Sequence, residues 1–179
     1  MRHHTKDKGD LAVGQVIADL WRVGAHVCLP ISEHLPFDLI ALSPSMRAVR
    51  RVQVKYVSAR DGSLRLSLRN THTDRRGIHY KTILLDEIDA FAIFCPDANK
   101  VYYVLREEIP SGVHRLFSLR LARSKNGQTK HIKPAKQFLG ADRLFGPVAQ
   151  RIEQRPSKSL VGGSIPSGPA TDGLQTRVL

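Results

Sequence analysis

Apolar positions recur at helical spacing at the start of the chain and at strand spacing after it. From Asp7 to Val23, Leu11, Ile17, Leu20 and Trp21, with Val13 and Val16 beside them, form a stripe that predicts an amphipathic helix. Gly24 follows as its C-terminal stop. Three short apolar runs come next. His26 to Ile31 predicts a strand ending near Pro30, and Phe37 to Leu42 predicts a second. Ala48 to Ser58 predicts a third, after a turn at Pro44 and Ser45. Asp61-Gly62 has hairpin-turn chemistry. Leu64, Leu66 and Leu68 then alternate with Arg65, Ser67 and Arg69, which predicts a half-buried strand with a basic outer face.

Asn70 to His79 is polar and basic without a period, so a loop is expected there, carrying His72, Arg75, Arg76 and His79. Leu84 to Ile88 predicts one helical turn. Ala90 to Cys95 and Val101 to Leu105 predict two strands joined by the turn Pro96-Asp97-Ala98-Asn99. Another short turn is expected at Glu107 to Ile109, and a strand from Val113 to Leu121 with Arg115 and Arg120 outward. Arg123 to Lys130 reads as a basic loop, and Pro134 to Leu139 as a short closing helix with proline at its start. One helix, several strands, then hairpins with small helices predict an α/β fold with a mixed sheet. No internal repeat is visible.

Strand alternation sets Gln53 and Lys55 on one face and Val52, Val54 and Tyr56 on the other. Asp38 enters the preceding apolar run. If the two runs form a hairpin, Asp38, Gln53 and Lys55 meet at one sheet edge, a set that suits a divalent metal and a phosphate.

Composition sharpens this. In 179 residues, a hydrophobic fraction of 41% and a charged fraction of 25% are ordinary for a soluble globular protein. The charge balance is not: 28 Lys and Arg against 16 Asp and Glu give +12, with a pI near 10.2. That excess favours a polyanionic partner, most often nucleic acid. Cys28 and Cys95 sit in apolar runs, and without clustered Cys/His spacing they predict buried free thiols rather than a zinc site. No secretory h-region and no apolar stretch of membrane-spanning length is present, so a cytoplasmic, nucleoid-associated protein without membrane contact is expected.

From about Asp142 the character changes. Val161 to Pro169, rich in Gly, Ser and Pro, has little to bury, and a disordered tail is expected over 142–179. Gly163-Ser164-Ile165-Pro166 can be encoded by GGTTCGATTCC, which resembles the T-arm consensus of a tRNA gene. Ala149 to Gln154 can likewise encode a D-arm-like stretch. The tail therefore resembles read-through of a tRNA gene.

Lys8-Gly9-Asp10-Leu11 on a helix, Pro36-Phe37-Asp38 on a strand and Gln53-Val54-Lys55 on the next resemble the PD-(D/E)XK nuclease superfamily. The branch they are most similar to is the homing endonucleases found with group I introns. Ile88 to Pro96, Lys100 to Val104 and Ser118 to Leu121 are similar to that family's later strands, so the resemblance spans roughly Lys6 to Leu139. It implies a restriction-endonuclease-like core over 1–141, a mixed sheet with flanking helices. It also implies a Mg²⁺-dependent, sequence-specific endonuclease acting on double-stranded DNA, with Mn²⁺ as a substitute metal.

By the resemblance, Asp38 is the principal metal ligand, with the Gln53 amide oxygen and the Val54 carbonyl beside it. Lys55 stands against the scissile phosphate or the attacking water, and Asp10 reaches in from the helix as a further carboxylate. Gln53 is neutral where an acid is usual, though glutamine occurs there in the intron-associated branch. Asp10 is one methylene shorter than the usual Glu. Candidate DNA contacts are Arg65, Arg69, Arg75, Arg76, Arg120, Lys125 and Lys130. Because one active site cuts one strand, a homodimer or higher homo-oligomer is expected. The alternatives are a junction-resolving or repair nuclease, and a catalytically decayed DNA-binding module.

Overall fold

The computed structural model describes residues 4–32, 34–74, 77–113, 115–122 and 132–146. The helix α1 spans His4–Arg22. It buries Ala12, Val16 and Leu20 completely, while Leu11 and Trp21 are exposed. The stripe expected from the large residues is thus rotated. The small Ala12 lets the helix approach the sheet, and the bulkier neighbours stay on its rim. Gly24, in the left-handed region at φ 74°, ends α1, and the Ala25 amide returns to the Leu20 carbonyl at 3.1 Å.

Five strands form the central sheet: β1 (His26–Cys28), β2 (Leu39–Leu42), β3 (Val49–Tyr56), β7 (Ala90–Cys95) and β8 (Lys100–Leu105), neighbours in that order. β1, β2 and β3 are joined antiparallel, β3 pairs with β7 in parallel, and β7 with β8 is again antiparallel, so the sheet is mixed as expected. The β2–β3 turn is held by Ser43, whose buried hydroxyl accepts from the Ala48 amide at 3.1 Å.

The two faces of the sheet carry separate apolar clusters. Val52, Val54, Ala90, Ala92 and Tyr103 pack under α1. Phe91, Ile93, Tyr102 and Val104 face the other way. That second face is covered by a two-stranded sheet of β4 (Ser63–Ser67) and β9 (Leu116–Arg120), which contributes Leu64, Leu66, Phe117 and Leu119. The core is therefore helix, mixed sheet, small sheet in three layers.

Several expectations are corrected. Asp61 and Gly62 do form a tight turn with positive φ at both, but it closes only Arg60 against Ser63. Beyond it β4 pairs with the distant β9, because Leu64 and Leu66 must reach the second cluster. The loop expected over Asn70 to His79 is a ribbon, β5 (Arg69–Asp74) paired antiparallel with β6 (Gly77–Thr82). Its first strand is polar throughout, and in the second only Ile78 and Tyr80 alternate with polar residues, too short a pattern to read as a strand. Cys95 is buried as expected, but Cys28 is exposed, since β1 lies at the sheet edge. The turn at Leu84 to Ile88 and the closing helix are 3-10 turns, Leu85–Glu87 and Ala135–Phe138. A further turn at Ala141–Leu144 places Leu144 and Phe145 in the cluster under α1. Arg75, Arg76, the Arg123 to Lys130 stretch and the tail after Gly146 lie outside the described residues. No described helix is long and apolar enough to cross a membrane.

Candidate active site

The antiparallel register of β2 on β3 pairs Leu39 with Val52. Asp38, one residue earlier, donates its amide to the Val52 carbonyl at 2.9 Å. Its side chain then turns onto β3. One carboxylate oxygen, Oδ2, accepts from the Val54 amide at 2.6 Å and from Gln53 Nε2 at 2.5 Å. Gln53 is one of two buried polar side chains among the described residues, only 9% exposed. A buried amide needs a partner, and Asp38 is that partner. Val54 presents its N–H toward Asp38, and in a strand the carbonyl of the same residue points to the same edge. The Val54 carbonyl therefore also belongs to this corner.

Lys55 shares the Gln53 face of β3 and feels the Asp38 carboxylate. Burial raises the Asp38 carboxyl above its usual range, partly offset by the Val54 hydrogen bond, by Lys55 and by Gln53. Burial likewise lowers the Lys55 ammonium, partly offset by attraction to Asp38. Both shifts have one cause: the corner removes water from two charges that are not fully repaid by each other. Such a pair is primed to take a further charged group.

Past Lys55 the strand opens into a cleft of about 410 Å³, lined by Lys8, Lys55, Tyr56, Val57, Ser58, Arg60, Arg65 and Ser67. Lys8 continues the buried stripe Ala12, Val16, Leu20 one turn toward the start of α1. Its ammonium lies 5.7 Å above the Tyr56 ring.

The structure thus gathers Asp38, Gln53, Val54 and Lys55, though not at a sheet edge as expected: β3 is the middle strand, and the corner lies where β2 begins beside it. Asp10 is exposed on α1, and no hydrogen bond or ion pair is found for it among the described residues. Arg65 lines the cleft and pairs with Asp61 at 3.7 Å. Arg69 stands at the base of the β5–β6 ribbon. Arg120 is spoken for: its guanidinium donates to the Asp61 carbonyl and to Ser63 Oγ, both at 2.9 Å, and so ties the turn to β9. Arg75, Arg76, Lys125 and Lys130 lie outside the described residues. Lys8 and Arg60 are the cleft residues that sequence reasoning passed over. The i, i+4 series from Lys8 to Leu20 was the available signal.

The sequence model of one family, the PD-(D/E)XK endonucleases, matches residues 3–140. The chain belongs to the PD-(D/E)XK endonuclease family. It is accordingly a DNA nuclease, a phosphodiester hydrolase, and the family generally uses divalent metal ions. Among solved structures it is similar to the bacterial homing endonuclease I-Ssp6803I, with 22% identity and a TM-score of 0.62 over 84% of this chain and 97% of that one. A Holliday junction resolvase, Hjc of Archaeoglobus fulgidus, aligns with 12% identity and a TM-score of 0.39 over 63% of this chain and 84% of that one. No curated protein matches.

The donor set suits the family's metals. Asp38, Gln53 and Val54 offer only oxygen ligands, one of them charged, which fits a hard cation that keeps several waters. Among the described residues no group of three or more His, Cys, Asp or Glu is placed to hold a metal ion, so the oxygens of Gln53 and Val54 would have to complete the set. One adjustment is required. Gln53 now points its amide nitrogen at Asp38, and to share an ion with that carboxylate it must turn its oxygen inward.

Proposed function

We propose that this endonuclease makes Mg²⁺-dependent, site-specific cuts in double-stranded DNA, with the homing type as the best reading. The observation that carries it is the Asp38 carboxylate held by the Val54 amide and the Gln53 side chain with Lys55 beside it. Asp38, the Gln53 amide oxygen and the Val54 carbonyl would hold Mg²⁺, or Mn²⁺ in its place. What the ion would supply is charge neutralisation at the phosphate and a lowered pKa for water.

The remaining work falls to the protein. Lys55 sets its ammonium against a non-bridging phosphate oxygen or the attacking water. Val54 N–H fixes the Asp38 rotamer, and Gln53 rotates between donor and acceptor. Asp10 is exposed and stands well around α1 from the buried stripe of Ala12, Val16 and Leu20, which leaves the expected role as a further carboxylate without support from its position. The β5–β6 ribbon is suited to read the duplex, because a major groove admits a two-stranded arm. Arg69 and, farther out in sequence, Arg75 and Arg76 would contact phosphate, as would Lys125 and Lys130 beyond β9. Two copies would cut the two strands.

Incubation of mixed genomic DNA with the protein and Mg²⁺, followed by sequencing of all new ends, tests this. Paired ends recurring at one sequence are expected. Resolution of a four-way junction without such ends would favour a junction or repair nuclease instead. DNA binding with no cut of either substrate would point to a decayed module.

A further inference from the structure

The cleft runs on from the cutting corner, with which it shares Lys55, and its lining is basic. Lys8, Lys55, Arg60 and Arg65 line it together with Ser58 and Ser67, and no carboxylate stands among the described residues lining it. Lys55 is balanced in part by Asp38 and Arg65 by Asp61 at 3.7 Å, so the positive charge offered to an anion in the cleft comes chiefly from Lys8 and Arg60. The hydroxyls of Ser58 and Ser67 are suited to the same guest, since both can donate to a phosphate oxygen.

Lys8 is aimed there by the fold. It lies on the face of α1 that packs on the sheet, and its ammonium is steadied over Tyr56. That ring packs edge-on against the buried Phe94 at 5.9 Å. Lys8 is exposed at the surface, and its ammonium lies over that aromatic pair.

Position and size narrow the guest. Ser58 lies three residues beyond Lys55, roughly 10 Å along an extended chain. About 410 Å³ lies within the ~300–1,000 Å³ of small-ligand sites, so it admits a phosphodiester with its sugar but not a duplex. We propose that this cleft is a second phosphate site, in which Lys8 and Arg60 hold a phosphodiester of the strand being cut, next to the scissile one. The proposal rests on the nuclease reading of the Asp38 corner. It assigns α1 a cation at the substrate strand.

The test is the salt dependence of binding to a short mixed-sequence DNA duplex without metal, followed by fluorescence anisotropy. Each phosphate contact contributes about 0.9 to the slope of log affinity against log salt. Lys8→Ala and Arg60→Ala should each flatten the slope by about that amount, with unchanged melting temperature. Arg22→Ala, at the far end of α1 and roughly 21 Å away, should leave it as in wild type. Tyr56→Phe should bind like wild type, and Tyr56→Leu should weaken binding in the wild type but not in Lys8→Ala. Unchanged slopes in both cleft variants, with wild-type duplex binding intact, would overturn the second site and leave the reading of the corner standing. A wild-type affinity indifferent to salt would overturn both.

Discussion

Asp38 and Lys55 are held at a cost to the fold, and that cost is measurable. The raised carboxyl means that the folded chain holds the Asp38 proton more tightly than the unfolded chain does. Asp38 therefore opposes folding at neutral pH, and its penalty vanishes as pH falls through the folded pKa toward 3.8. Thermal melts of Asp38→Asn should lie above wild type at neutral pH and converge with it in acid. For the lowered Lys55 ammonium the penalty also stands at neutral pH, and it disappears as pH rises toward 10.5. The same raised carboxyl should start the acid loss of metal-dependent cutting at a higher pH than an ordinary aspartate would. Gln53→Glu adds a second charge beside Asp38. Without metal it should melt lower than wild type, while Mn²⁺ affinity, read by calorimetry, should rise roughly tenfold; an unchanged affinity would remove Gln53 from the ligand set. At this scale the meeting of Asp38 with Gln53 was legible in the sequence, because two short apolar runs joined by a turn bring them together if they form a hairpin, while the roles came from the family resemblance. Lys8 was not. It and Asp10 both stand in the polar start of α1, and only the seating of Ala12 against the sheet decides which one is brought to the cleft.

Elements differ in how firmly the core holds them. β4 carries Leu64 and Leu66, both fully buried, so Leu66→Ala should cost about 2–5 kcal/mol of stability in denaturant melts. The β5–β6 ribbon pairs within itself, Arg69 with Thr82 through Asp74 with Gly77. Replacing the chain between Arg69 and Thr82 by a tight Asn-Gly turn should leave the melting temperature nearly unchanged and weaken duplex binding. A large fall in melting temperature would show that the arm belongs to the core. The apolar strands β3, β7 and β8 were legible within one or two residues at each end, since their runs are bounded by turn residues. The ribbon was not, because β5 is polar throughout and β6 offers only Ile78 and Tyr80 as alternating apolar positions. Nor was the partner of β4: Asp61-Gly62 specifies a turn, and the second apolar cluster specifies what pairs after it.

For the molecule as a whole, the +12 charge and the cleft of Lys8, Lys55, Arg60 and Arg65 point the same way, toward a polyanion taken in beside the Asp38 corner. One corner serves one strand, so sedimentation of the DNA complex should show two chains, or a multiple of two, on each cut site; a lone chain making double-strand breaks would contradict that arrangement. Fold class and the presence of one long helix were legible from periodicity alone. The small sheet covering the second face was not, because its strands lie far apart in the sequence. Asp38 and Lys55 are expected to carry the cutting. The most direct test is single-turnover nicking of a supercoiled plasmid in Mg²⁺ by wild type, Asp38→Ala and Lys55→Ala at matched DNA occupancy. At that occupancy both variants should lose cutting by about a hundredfold or more. Nicking at the wild-type rate by either variant would contradict that expectation.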